Sequence, residues 1–178
     1  VLTDDGGVES DLVVVAAGSW SRRLAAGLGA RVPLDTERGY HVMLPDPGVE
    51  MRTPVKSAEG GFYMTPMELG LRVAGTDELG GLDLPPNWNR VEAMLRRVRR
   101  LVPGLNEAGA APWMGFRPSL PDSKPVISPI AGRPGVFLAF GHGHVGLTLG
   151  AITGRSIADM VAGRETPVDM TPFSAARF

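Results

Sequence analysis

The chain has 178 residues, with 19 acidic against 18 basic side chains for a net charge of −1, and 43 % of it is hydrophobic. That balance offers no basic excess for nucleic acid, and the absence of cysteine excludes disulfides, thiolate nucleophiles and cysteine metal sites. No apolar run has the length of a membrane span, while 24 glycines and 16 prolines point to many turns and close backbone approaches.

The first residues, VLTDDGGVES, lack an initiating methionine and begin within what reads as a strand, a turn and another strand, as expected of a piece of a longer polypeptide. Residues 11–17 are a continuous apolar run ending at Ala17-Gly18, which suits a strand buried on both faces. Ser19 then suits the N-cap of a helix over 20–28, where Leu24 and Leu28 stand one turn apart and Gly29 closes it. From Arg31 to Met114 the pattern changes. Segments 32–34, 39–44, 61–65 and 71–76 are short, partly alternating and separated by Pro, Gly and Asp, which reads as an antiparallel sheet.

One helix interrupts that sheet. Asn89 with Glu92 resembles a capping box, and Val91, Met94, Leu95, Val98, Leu101 and Val102 form a single stripe before Pro103-Gly104. Arg96, Arg97, Arg99 and Arg100 fall on the opposite face, expected to be solvated rather than a phosphate site. A compact block with Gly115-Phe116-Arg117-Pro118 follows. Then the apolar run 136–140 meets Gly141-His142-Gly143-His144-Val145-Gly146 and a helical stretch, the outline of a dinucleotide fingerprint. Only fifteen residues follow Gly163, and they contain no second strand with an acidic ribose partner. An NAD-binding βαβ unit is therefore not expected. His142 and His144, with His41 the only other histidine, would need a carboxylate to complete a metal site, so no metal is expected. Gly146, Gly150, Gly154 and Ala158 recur every four residues. Interior helical glycines cost about 1 kcal/mol each relative to alanine, so this face demands close packing against either a strand or a flat ligand.

Taken in order, VVVAAGSWS, GFRPSLPDSKPVI and GHGHVGLTLGAITG with IADMVAG, together with FYMTP, LRVAGTDELGGLD and the arginine-rich helix, resemble the C-terminal half of the D-amino acid oxidase family of FAD-dependent amine oxidoreductases. That family includes glycine oxidase, sarcosine oxidase and bacterial D-amino acid dehydrogenase, and the Gly-His-Gly block and terminal Ser-Ala-Ala-Arg-Phe lean toward the last. The resemblance implies an α+β or α/β fold in two domains. Residues 1–30 and 119–178 would form part of a Rossmann-like FAD-binding domain, and 31–118 a substrate domain with a mostly antiparallel sheet. It further implies oxidative deamination of D-amino acids, with a hydride passing from the α-carbon to flavin N5 and then to a quinone or to oxygen. A glycine- or sarcosine-type amine oxidase, or a non-catalytic binding module on the same fold, are the alternatives. The family's N-terminal pyrophosphate fingerprint is not among these residues, so the chain by itself is expected to bind FAD weakly and to be inactive. A cytoplasmic location is implied, with peripheral association at the inner face of the membrane as the alternative.

Residue by residue, the resemblance makes Arg117 the partner of the substrate carboxylate and Tyr63 a substrate contact, with Tyr40 and Glu78 as further candidates. Gly141, His142, Gly143, His144, Val145, Gly146, Leu147 and Thr148 would run along the flavin ring. Ala17, Gly18 and Trp20 would lie toward the adenosine and pyrophosphate, although for Trp20 plain core packing is an equal alternative. No catalytic side chain is implied with certainty.

Overall fold

A computed structural model describes residues 1–178. In chain order the elements are β1 (Leu2–Thr3), β2 (Gly6–Gly7), β3 (Val13–Val15), α1 (Ser21–Gly27) and β4 (Asp35–Leu44). Then follow β5 (Val55–Ser57), β6 (Phe62–Met67), β7 (Gly70–Leu79), α2 (Asn89–Leu101) and β8 (Ala111–Ser119). The last three are β9 (Val126–Ile130), β10 (Arg133–Phe140) and α3 (Gly146–Val161). The fold is mixed α and β, and its larger sheet is antiparallel in the pairings of β5, β6, β7 and β4.

The chain divides into two units, one of Val1–Thr36 with Arg117–Phe178 and one of Glu37–Phe116. In the first, β10 lies at the centre of a three-stranded sheet, parallel to β3 and antiparallel to β9. Alternation along these strands builds two apolar layers. Val15, Leu138, Phe140 and Val126 join Leu34, Leu120 and Ala25 on one side, while Ile127 and Phe137 meet Ile157 of α3 on the other. The helix covers β9 and β10. Val14, opposite Phe137 on the edge strand β3, is left exposed, so the apolar run is not buried on both faces as its composition suggested.

Ser19 does not cap a helix. It sits in a 3-10 turn, Gly18–Trp20, and α1 starts at Ser21 without a side-chain cap. The turn is possible because Gly18 has φ +53°. Residues 32–34 form no strand either; Leu34 N–H donates to the Val32 carbonyl in a tight turn, and both side chains are buried ahead of β4.

The second unit carries a five-stranded sheet in the order β5-β6-β7-β4-β8. β7 has one extra residue opposite the Tyr40–His41 step, and that residue is Gly75 at φ +151°. A side chain there would collide with the backbone at Gly61 and Phe62 of β6. Helix α2 lays Val91, Met94, Leu95 and Val98 on one sheet face, against Val42, Leu44, Phe62, Met64, Leu71 and Val73. Each such burial contributes about 1.5–3 kcal/mol. Asn89 is within the first turn and caps nothing, since the preceding residue, Trp88, occupies the cap position without a side-chain bond. The arginines are largely committed. Arg99 pairs with Glu92 and Glu107, Arg96 lies 3.9 Å from Glu92, and Arg97 donates to the Gly60 carbonyl.

Candidate functional site

Strand alternation gives the second unit's sheet two unlike faces. Under α2, Tyr40 is 1 % exposed. Its hydroxyl donates to Glu78 and accepts from the Asn87 backbone N–H, and its ring meets Trp88 edge-on at 6.0 Å. Arg38, fully buried, donates to the carbonyls of Gly81 at 2.7 Å, Leu84 at 2.8 Å and Pro85 at 3.2 Å, and lies 3.7 Å from Glu78. Arg90 reaches Glu78 at 3.5 Å and donates to the Asp77 carbonyl. The Tyr40 hydrogen bond, with Arg90 and Arg38 beside it, holds the Glu78 carboxyl below its ordinary range. These contacts fasten residues 81–87 to the sheet.

Tyr63 is on the other face. Its neighbours along β6, Phe62 and Met64, enter the α2 core, whereas Tyr63 is 47 % exposed with Lys56 over its ring. Of the other substrate candidates, Tyr40 and Glu78 lie on the α2 face, in one network with Arg38 and Arg90, whereas Tyr63 lies on the opposite face. The Tyr63 face instead carries Thr65, Arg72, Ala74, His41 and Met43, placed by register across β6, β7 and β4. Trp113 of β8 stacks on His41. Burial, with the Arg72 charge beside it, lowers the His41 pKa below its ordinary 6.5. Arg117 follows on β8 two residues after Gly115 and is half-buried.

In the first unit, the strand-to-helix turn after β10 is built on positive-φ glycines. Gly141 (φ +85°) is buried, and a Cβ there would come within 2.5 Å of Leu120. Gly143 (φ +54°) opens a 3-10 turn, Gly143–Val145, from which α3 starts at Gly146. His142 is anchored back onto the helix, its Nε2 2.9 Å from Thr153 Oγ1, and burial lowers its pKa. His144, Val145 and Thr148 are exposed, and Leu147 is 99 % exposed. No side chain caps α3, so its first N–H groups are left for an external acceptor. The glycine flank is not explained by strand packing: a Cβ at Gly150 or Gly154 would meet nothing within 4 Å.

Ala17 and Gly18 lie at the C-terminal end of β3, and Trp20 is 54 % exposed, which removes core packing as its reason. The buried hydroxyls of Ser19 and Ser21 have no hydrogen-bond partner. β3, α1 and Val136 border an open groove of about 840 Å³ that includes Val14, Ala16, Ala17 and Leu24. A dinucleotide suits these features. The uncapped helix start favours negative charge, and the bare flank and exposed Leu147 suit a flat apolar ring.

The alternation of 39–44 and the spacing Trp113-x-Gly115-x-Arg117 do not reveal that His41, Ala74 and Trp113 share the Tyr63 face, because the extra residue at Gly75 shifts which residues stand together.

Comparison with known proteins gives one consistent answer. The family model for FAD dependent oxidoreductases of the DAO type matches residues 1–160. A D-amino-acid oxidase of Bradyrhizobium diazoefficiens is 39 % identical over 182 residues, covering 100 % of this chain and 43 % of the relative. A D-amino acid dehydrogenase of Paramagnetospirillum magneticum is 37 % identical, again covering 100 % and 43 %. Among solved structures, glycine oxidase from Geobacillus kaustophilus superposes with a TM-score of 0.81 at 31 % identity, covering 99 % of this chain and 48 % of that one. The chain thus spans less than half the length of these relatives.

Proposed function

The chain belongs to the FAD-dependent oxidoreductase family of the D-amino acid oxidase type, and from that membership we propose that it is the C-terminal, substrate-binding part of an enzyme that oxidatively deaminates D-amino acids. The observation that carries this reading is the open, uncapped start of α3 behind its glycine turn, with exposed Leu147 and a bare glycine flank beside it. FAD, when bound, supplies a hydride acceptor for the substrate α-carbon, the imino acid product then hydrolysing to an oxo acid and ammonia. The protein's part is binding, orientation and electrostatics.

Arg117 holds the substrate carboxylate. Its guanidinium fork makes two parallel charge-assisted bonds, which fix the direction of the α-hydrogen as a single ammonium would not. The Tyr63 hydroxyl, on an exposed ring, adds a further contact. Gly141, His142, Gly143, His144, Val145, Gly146, Leu147 and Thr148 would hold the ring of the cofactor, and the N–H groups and dipole at the start of α3 would favour negative charge there. Ala17, Gly18 and Trp20 would hold its adenosine and pyrophosphate. An amine that binds deprotonated needs no general-base side chain.

The assay is made on the complete FAD-loaded polypeptide, mixed anaerobically with a panel of D-amino acids. Bleaching of the yellow flavin spectrum is the expected result. A protein that never binds flavin is instead a binding module on this fold. Similarity to glycine oxidase favours one second reading, a glycine- or sarcosine-type amine oxidase, in which glycine bleaches the flavin and larger D-amino acids do not. Reoxidation by a quinone-like dye against oxygen then identifies the electron acceptor. No helix is long and apolar enough to cross a membrane.

A further inference from the structure

On the exposed face of the second unit's sheet, register places Tyr63, Ala74 and His41 in one row across β6, β7 and β4. Two strand spacings, roughly 10 Å, separate the outer pair, and the residue between them carries only a methyl group. Trp113 stacks on His41 with ring centroids 4.8 Å apart and planes inclined by 27°. Its indole lies over Gly115, where any Cβ would collide with the ring. Gly115 therefore lets the indole fold down against the histidine.

The outcome is a slot. Ala74 is its floor, the Tyr63 ring one wall and the His41–Trp113 stack the other, and Tyr63 and Trp113 are 47 % and 53 % exposed. Two cations border it. The Lys56 ammonium is 5.4 Å from the Tyr63 ring centroid, and Arg72 stands one row along β7 from Ala74. Arg72 Nε is buried without a hydrogen-bond partner.

We propose that this slot receives the side chain of the amino acid substrate and selects uncharged side chains larger than methyl over cationic ones. The inference rests on the reading above in which Tyr63 contacts the substrate. Aromatic walls at this separation accept a planar or branched apolar group between them, where ring contacts are favourable. The small floor residue leaves the room. Burial and the Arg72 charge keep the His41 imidazole neutral around pH 7, so that wall adds no charge. Lys56 and Arg72 repel a lysine- or arginine-like side chain, which would also be desolvated there.

The test is Ala74→Leu in the complete FAD-loaded protein, read as the ratio of kcat/KM for D-phenylalanine to that for D-alanine. Filling the floor lowers that ratio by roughly tenfold or more, the scale on which apolar pockets discriminate added bulk. Ala74→Gly, which enlarges the slot and keeps the backbone, raises the ratio, so the inference stays testable if the leucine variant does not fold. Wild-type protein oxidises D-leucine in preference to D-lysine. Ratios unchanged in both variants, with amino acids still oxidised, overturn the slot alone. A wild-type protein that binds FAD but oxidises no amino acid overturns the functional reading and the slot with it.

Discussion

Replacing Gly150 and Gly154 by alanine separates a structural from a ligand-binding reason for the bare flank of α3. Both residues lie inside a 16-residue helix with helical backbone, and a Cβ at either meets no atom within 4 Å. Each substitution therefore recovers the full propensity difference, about 1 kcal/mol, through reduced freedom of the unfolded chain. The sites share no partner, so the pair stabilises by about 2 kcal/mol. At the scale of a domain of this size that raises the melting temperature by roughly 4–8 °C. Thermal denaturation followed by circular dichroism on the 178-residue chain measures it. In the complete protein the same two methyl groups occupy the flank assigned to the cofactor, so flavin content falls while the polypeptide is more stable. A loss of stability in the isolated chain would show that the flank is packed after all. Gained stability with full flavin content would show that the cofactor lies elsewhere.

Other perturbations test the remaining sites. Arg38→Met removes a buried guanidinium from three carbonyls and from Glu78; a cost of about 3–5 kcal/mol is expected, seen as a lower denaturation midpoint by urea titration. Tyr40→Phe deletes the hydroxyl between Glu78 and the Asn87 N–H; stability falls by about 1–3 kcal/mol, and substrate KM stays within a fewfold of wild type because this network faces α2. Acid has a defined effect through the histidines. His41 and His142 have folded pKa values lowered from 6.5, so the unfolded state binds protons first; their contribution is complete above pH 6.5 and is lost as pH falls below it. His142→Gln flattens the stability profile in that window. Glu78, lowered from 4.5, adds a second loss of the same sign that starts near pH 4.5.

Much of the fold was legible because short-range rules acted alone. Of the α2 stripe, Val91, Met94, Leu95 and Val98 are buried and Val102 partly so, while Leu101 at the helix end is exposed. The strand, glycine turn and helix from Val136 onward form as their pattern implies. Where longer-range terms entered, the reading failed. Ser19 looked like a cap, but Gly18 turns the chain so that the serine is buried. Val14 looked buried, yet α3 stops short of the edge strand. Tyr40 and Tyr63 are both substrate candidates by sequence, and their relative placement is not legible there. Parity along β4 and β6, fixed by which neighbours enter the α2 core, puts them on opposite faces, and no count of residues within one segment reveals that.

The central claim is that Arg117 anchors an amino acid for oxidation by a cofactor that this arginine does not itself hold. Wild-type and Arg117→Ala forms of the complete protein, both loaded with FAD, are titrated anaerobically with a D-amino acid that the wild type oxidises. Equal flavin content and bleaching are expected in both, with the variant requiring at least about a hundredfold more substrate, the loss expected when a bidentate charged contact worth about 3 kcal/mol is removed. Bleaching of both proteins at the same concentration, or loss of flavin from the variant, contradicts it.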